Sequence, residues 1–373
     1  MPRARFIPIN RPMLGREEIR AAVRVLRSGI LTDKDGCGPN VLRFENAFAS
    51  YVGVKYAVAM NSGTAALHAS LLALGVEMGD EVIVPSFTFV AAAETVALTG
   101  ARPVFVDINP NTYSMDQDRV EEAITMRTRA IIPVHLYGLT ADMDPIVEIA
   151  HENNIVVIED AAQAHGAQYK GRKAGALGDL ACFSFYGSKN VTTGEGGMVT
   201  TNNRRYMETL RSLRSHGEDK PYRSVMLGYN YRMPELEAAI GLAQLSKLPV
   251  FLEARRRNAS ILLDGLGEVE RLRLPHEPDG YTHAWYVFTV RLRGANAAKR
   301  NKVVARLRER RVDAQVYYPR PIHSMPYYRR RYGRVRLSRT ETASRQVFSL
   351  PVHPALKEQE LDHILRAVKD AVG

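Results

Sequence analysis

Over roughly the first two hundred residues, short apolar runs alternate with stretches whose apolar positions recur at helical spacing. Residues 55–60 (KYAVAM), 81–85 (EVIVP), 103–108 (PVFVDI), 130–134 (AIIPV), 155–159 (IVVIE), 179–185 and 198–201 read as strands. Most are nearly continuous in apolar character, as expected of strands covered on both faces. Strands separated by helical segments predict an α/β fold with a mostly parallel, seven-stranded sheet. The seventh run follows the sixth across a turn with no helix between them, so it can run antiparallel. From about Pro234 the pattern changes. A long helix is predicted over 235–265, an alternating strand over 285–292 (WYVFTVRL), a helix over 301–310, an extended segment over 315–318 and a closing helix over 358–372. These divide the chain into a large domain, 1–250, and a smaller C-terminal α+β domain, 251–373.

Composition narrows the classes. The 373 residues are 45% hydrophobic and 24% charged, which suits a folded globular chain rather than a disordered one. The two cysteines, Cys37 and Cys182, lie far apart, so neither a disulfide framework nor a cysteine metal site is predicted. No apolar run is long enough to span a membrane, and the start, MPRARF, does not read as a signal peptide. A cytoplasmic protein is expected. The net charge of +11 fits either nucleic acid or small anionic ligands. The arginines are dispersed apart from an excess over 329–339, and no nucleic-acid-binding pattern accompanies them. Phosphate-bearing small molecules are the expected partners. The run 327–332 (YYRRRY) reads as a solvated face or a lid.

Three stretches carry candidate chemistry. Asn61-Ser62-Gly63-Thr64-Ala65-Ala66 joins a strand to a helix, where hydroxyls and free N–H groups converge on an anion. An ordinary N-cap explains the same residues equally well. The run 158–166 (IEDAAQAHG) ends an apolar strand with two acids, and a carboxylate at that end of a parallel strand enters the ligand crevice. There Asp160 can hold a pyridinium N–H, or serve as a cap. Phe183-Ser184-Phe185-Tyr186-Gly187-Ser188-Lys189-Asn190 places a lysine in a small-residue turn before the glycine loop 192–197 (TTGEGG). A lysine beside a buried site can lose its proton and act as a nucleophile.

The segments NSGTAAL, PSFTFVA, EDAAQAHGA, FSFYGSKN, TTGEGG and GYNYRM together resemble the DegT/DnrJ/StrS family of sugar aminotransferases, with perosamine-synthase-like members nearest. The resemblance runs from about Pro8 to the C-terminus. It implies the fold type I of pyridoxal 5'-phosphate (PLP) dependent transferases, the aspartate aminotransferase superfamily, and a homodimer with shared active sites. It implies that Lys189 binds PLP covalently and shuttles the proton. Asp160 would pair with the pyridine nitrogen, Gln163 lie on the ring's face or O3′ side, and Phe89 stack on the ring. Ser62, Gly63, Thr64, Ala65 and Ser184 would surround the phosphate, and Asn230 would reach the neighbouring subunit's phosphate. Arg232, Tyr318 and His323 would stand on the substrate side. Members with histidine in place of the lysine act as dehydratases, so Lys189 favours transamination.

The implied reaction moves an amino group from an amino acid, glutamate, to the keto group of a nucleotide-linked deoxysugar, with the 4-keto position first. A 3-keto nucleotide sugar and a keto-inositol are the alternatives; a non-catalytic PLP-binding regulator is disfavoured by the intact Asp160/Lys189 pair. One departure bears on the substrate. The family's short turn near the N-terminus is longer here, 31–39 (LTDKDGCGP).

Overall fold

The computed structural model describes residues 6–373. Each of the seven predicted runs forms a strand of one sheet: β1 Tyr56–Met60, β2 Glu81–Pro85, β3 Arg102–Val106, β4 Thr128–Ile131, β5 Val156–Asp160, β6 Leu180–Ser184 and β7 Gly197–Thr201. Their spatial order is β1-β7-β6-β5-β4-β2-β3. Strands β6, β5, β4, β2 and β3 are parallel neighbours. Strand β7 returns from β6 without a helix and is antiparallel to both β6 and β1.

Both faces of this sheet are covered, which is why its strands read as continuous apolar runs. Alternate side chains divide between two cores, as the pleat requires. Val58, Met60, Val82 and Val84 pack with helices α3 (Gly63–Ala73), α4 (Ala91–Leu98) and α7 (Arg204–Arg214). Ala57, Ala59, Ala181 and Phe183 pack with α2 (Pro39–Val52) and α8 (Glu235–Leu266). Ile83 and Ile131 face α6 (Met143–Glu152). Helix α1 (Arg16–Ser28) packs on the outside of α8 through Ala21 and Val25, and α5 (Gln117–Glu122) adds Val120 to the α6 side.

The C-terminal part builds a three-stranded antiparallel sheet from β8 Leu272–Arg273, β9 Phe288–Leu292 and β10 Val347–Leu350. Helices α9 (Ala297–Glu309) and α11 (Glu358–Val372) pack on it, and its core also takes Ile7 and the end of α8 from Ala259 onward. Helix α8 runs unbroken through residue 250 and serves both cores. The basic run falls on α10 (Pro326–Tyr332), where Arg329, Arg330 and Arg331 are exposed and Tyr328 is the buried anchor. Among the described residues no helix is long and apolar enough to cross a membrane, and no cluster offers a metal site.

The longer 31–39 segment is tied down from beneath. Arg214, at the end of α7, is wholly buried and pairs with Glu45 at 2.6 Å. Its guanidinium also donates to the carbonyls of Ala59 (3.1 Å) and Asp35 (3.3 Å). Ser215 donates to the Lys34 carbonyl at 2.6 Å. Glu235 accepts the N–H groups of Asn40 and Val41, which open α2. Without Arg214 the buried Glu45 carboxylate keeps only the half-exposed Arg211, at 3.3 Å, as a charged partner, and breaking a buried pair costs up to about 3–5 kcal/mol. Arg214→Met is therefore expected to lower the free energy of unfolding by that amount in denaturant titrations. A midpoint within error of the wild type would show that this pair does not anchor the loop.

Three buried histidines set the acid limit. Burial pushes His165 and His283 down to about 3 and His353 to about 4. His283 is stacked on Trp285 with ring centres 3.9 Å apart. In the unfolded chain each binds a proton near pH 6.5, while in the folded chain each stays neutral. The unfolded state thus binds more protons below that pH, and stability falls with falling pH. The slope approaches about 1.4 kcal/mol per pH unit per histidine between pH 6 and 4. Urea midpoints at pH 7.5 and 5.0 should differ sharply; equal midpoints would contradict the neutral burial of these rings.

Candidate active site

A cavity of about 430 Å³ opens at the C-terminal ends of β5 and β6, beside the start of α3. This is where open parallel sheets bind ligands. At the start of α3, Ser62 is the N-cap, and its hydroxyl accepts the Ala65 N–H at 3.0 Å. The Ala66 N–H bonds to the Ser62 carbonyl. The N–H groups of Gly63 and Thr64 remain without protein partners among the described residues, and both residues line the cavity. Cap and anion cradle are therefore compatible: the cap uses one donor and leaves two. A Cβ on Gly63 would stand 2.8 Å from the Ser184 Cβ, so only glycine lets the helix approach β6 this closely. Ser184, from the end of β6, brings its hydroxyl to the same corner.

The two acids closing β5 point to opposite faces, as successive strand residues must. Glu159 is fully buried away from the cavity. It accepts N–H groups from Gly175, Leu177 and Gly178 and bonds to His135 at 2.9 Å. Asp160 faces the cavity with one hydrogen bond, from the Ala162 N–H at 3.1 Å. Burial raises its pKa above the ordinary aspartate value, against the pull of that N–H and of Lys189. A half-satisfied, desolvated carboxylate of this kind favours a cationic N–H partner.

Lys189 enters from the turn after β6. Its Nζ lies 4.8 Å from the centre of the Tyr286 ring, and neighbouring Ser188 bonds to the Tyr286 hydroxyl at 2.9 Å. Gln163 sits on the cavity wall, donating to the Tyr318 hydroxyl at 3.0 Å. Phe89 lies across from Tyr318, ring centres 6.2 Å apart. Thus Ser62, Gly63, Thr64, Phe89, Asp160, Gln163, Ser184, Lys189 and Tyr318, from five separated segments, line one cavity. A phosphate cradle, a flat aromatic wall, a buried carboxylate and a primary amine around 430 Å³ fit PLP.

Four expected residues stand elsewhere. Ala65 gives its N–H to the Ser62 cap rather than to the cavity. Asn230 is exposed and outside the cavity lining, its carbonyl accepting from the Asn61 amide at 3.3 Å. Arg232 donates to the Ser215 hydroxyl at 3.0 Å and packs against Gly36 in the longer loop. His323, expected on the substrate side, is buried and stands outside the cavity lining. It bonds to the Ser86 hydroxyl at 2.7 Å, and its far nitrogen lies 3.6 Å from Glu341. Conversely, Thr88, Tyr186, Ser188, Glu195, Tyr286 and Tyr317 line the cavity, although the sequence alone assigns none of them a role there. Tyr286 could be suspected from the alternation of 285–292, but nothing local ties it to Lys189.

Comparison with known proteins agrees with this geometry. The model of the DegT/DnrJ/EryC1/StrS aminotransferase family matches residues 12–369. The chain belongs to this family. It is 43% identical to the GDP-perosamine synthase of Caulobacter vibrioides over 334 residues, 89% of this chain and 90% of that one. It superposes on S. venezuelae DesV, solved with a ketimine intermediate, with TM-score 0.90 at 39% identity, covering 95% and 94% of the two chains. Spr1654 from Streptococcus pneumoniae in its PLP form gives TM-score 0.93 at 30% identity over 98% of each chain. The protein is a PLP-dependent aminotransferase with the type I transferase fold.

Proposed function

We propose that this aminotransferase moves an amino group from glutamate to the keto group of a nucleotide-linked deoxysugar, at the 4-position. The observation that carries the reading is the single cavity joining Lys189, Asp160 and the α3 cradle, in a chain 43% identical to a GDP-perosamine synthase. PLP, when bound, supplies the electron sink that lets nitrogen pass between donor and acceptor. The N–H groups of Gly63 and Thr64, with the hydroxyls of Thr64 and Ser184, would hold its phosphate. The Asp160 carboxylate would keep the pyridine nitrogen protonated. Phe89 would cover one ring face, and Gln163 would stand at the ring's O3′ side. The Lys189 Nζ would hold the cofactor at rest, then carry a proton to and from the reacting substrate carbon.

The same reading makes the protein a homodimer in which Asn230 reaches the partner's phosphate. Support comes from the neighbouring segment, where Tyr222 and Leu227 are 88% and 78% exposed and Val225 is also open. Large apolar side chains gathered on a surface mark an interaction site. Tyr318 faces the acceptor, and Arg232 borders it by way of the longer loop.

The pyridoxamine form of the protein, mixed with a panel of keto compounds, tests the substrate. A 4-keto nucleotide sugar should regenerate the PLP absorbance. Turnover of a 3-keto nucleotide sugar or of a keto-inositol, with the 4-keto compounds inert, would replace this reading.

A further inference from the structure

The cavity wall contains a hydrogen-bond relay whose direction the backbone fixes. The N–H of Tyr137 lies 2.7 Å from the Oε1 of Gln163. A backbone N–H only donates, so the atom facing it must be the amide oxygen. The Gln163 nitrogen is thereby turned toward the cavity, 3.0 Å from the Tyr318 hydroxyl. An amide nitrogen also only donates, so the Tyr318 oxygen accepts. Its single proton must then point away from Gln163, and among the described residues it has no protein acceptor.

We infer that Tyr137 is a positioning residue that sets the polarity of the Gln163 amide, and so presents the Tyr318 O–H as a donor to an oxygen of the amino-accepting substrate. This rests on the reading of the cavity as the aminotransferase site. Burial raises the Tyr318 pKa, so the proton stays on the phenol at working pH. Tyr137 is 4% exposed and does not line the cavity. It occupies the left-handed region, φ 61° and ψ 1°, which non-glycine residues enter only when the surroundings hold them there. The surroundings do: its carbonyl accepts the Tyr286 N–H at 3.0 Å, and the next carbonyl, Gly138, accepts the Ala284 N–H at 2.8 Å. The Tyr137 hydroxyl donates to the Tyr317 carbonyl. One strained turn thus grips both Gln163 and the segment that carries Tyr318. The site selects an acceptor with a hydroxyl or carbonyl oxygen opposite Phe89 and disfavours a deoxygenated or aminated carbon at that place.

Two measurements test this. Neutron diffraction from D2O-exchanged crystals of the PLP-bound protein should place two deuterons on the Gln163 nitrogen and direct the Tyr318 deuteron into the cavity. A Tyr318 deuteron on the line to Gln163 would overturn the inference whatever the substrate is. The second follows the PLP form reacting with GDP-perosamine, the reverse direction, and separately with L-glutamate. Tyr318→Phe should lower kcat/KM about tenfold with GDP-perosamine and less than about twofold with glutamate. In a Gln163→Glu background the carboxylate accepts from Tyr137 and from Tyr318 alike, so the phenol proton turns inward. There Tyr318→Phe should cost less than about twofold on the sugar arm, whatever Gln163→Glu costs by itself. Equal costs in both backgrounds would contradict the relay. A wild-type protein inert toward GDP-perosamine would count against the 4-amino sugar reading alone, and the neutron result would still decide the relay.

Discussion

Lys189→Ala is expected to lower the transamination rate roughly ten-thousand-fold, the upper range for losing a positioned proton carrier that is also a nucleophile. Among the described residues the cavity offers one primary amine, and the wall around it is aromatic or hydroxylic: Tyr186, Ser188, Tyr286 and Tyr318. None of these hydroxyls could replace an amine in the proposed role of bonding the cofactor and taking a proton from carbon. The fold should be untouched, because the Nζ group makes no salt bridge among the described residues and meets only the Tyr286 ring. Denaturant midpoints of the variant without PLP should match the wild type, while exogenous methylamine should restore part of the rate. Retained activity, or a rate lost together with the fold, would contradict the assignment.

Asp160→Asn should cost about 2–5 kcal/mol of cofactor interaction, a loss of roughly 30- to 4000-fold in activity or PLP affinity. Its effect on the protein without PLP should have the opposite sign. The folded-state pKa of Asp160 is raised by burial. Between the unfolded value near 3.8 and the raised folded value, the unfolded chain gives up its proton first, so stability falls as pH rises through that window. The ionised carboxylate is therefore a cost to the fold, one that a bound cofactor would offset. Asparagine removes the charge and keeps an acceptor for the Ala162 N–H. The variant without PLP should be as stable as the wild type or more so, and the stabilisation on adding PLP should shrink. A variant that loses stability without PLP but keeps its affinity for it would mean that the carboxylate serves the fold instead.

Much of this architecture is legible in the chain because burial on both faces writes itself as uninterrupted apolar runs. Strand β7 was readable as antiparallel for a topological reason: the turn from 185 to 196 has no helix to carry the chain back. The cradle and the Asp160–Lys189 pair were legible because each sits where a strand ends, and their spacing matches a family. What stayed hidden depends on contacts between distant segments. Glu159 and Asp160 are adjacent acids, and only the pleat assigns one to the loop 175–178 and the other to the cavity. Tyr286 meets Ser188 across 98 residues. Tyr137 acts through its backbone N–H, which side-chain identity cannot announce. The placing of His323 was hidden too: Tyr317 and Tyr318 line the cavity, while the chain turns after Pro321 and buries the histidine against Ser86. The longer loop was legible as an insertion, but its anchoring by Arg214 and Glu235 was not, since both partners lie some two hundred residues away.

On the proposed function, Lys189 is the residue to which the cofactor attaches. Incubating the protein with PLP, reducing with borohydride and mapping the peptides by mass spectrometry tests it directly. One phosphopyridoxyl group per chain is expected, on Lys189, and none on the surface lysines at stoichiometric PLP. A label on any other lysine with Lys189 unmodified would contradict it.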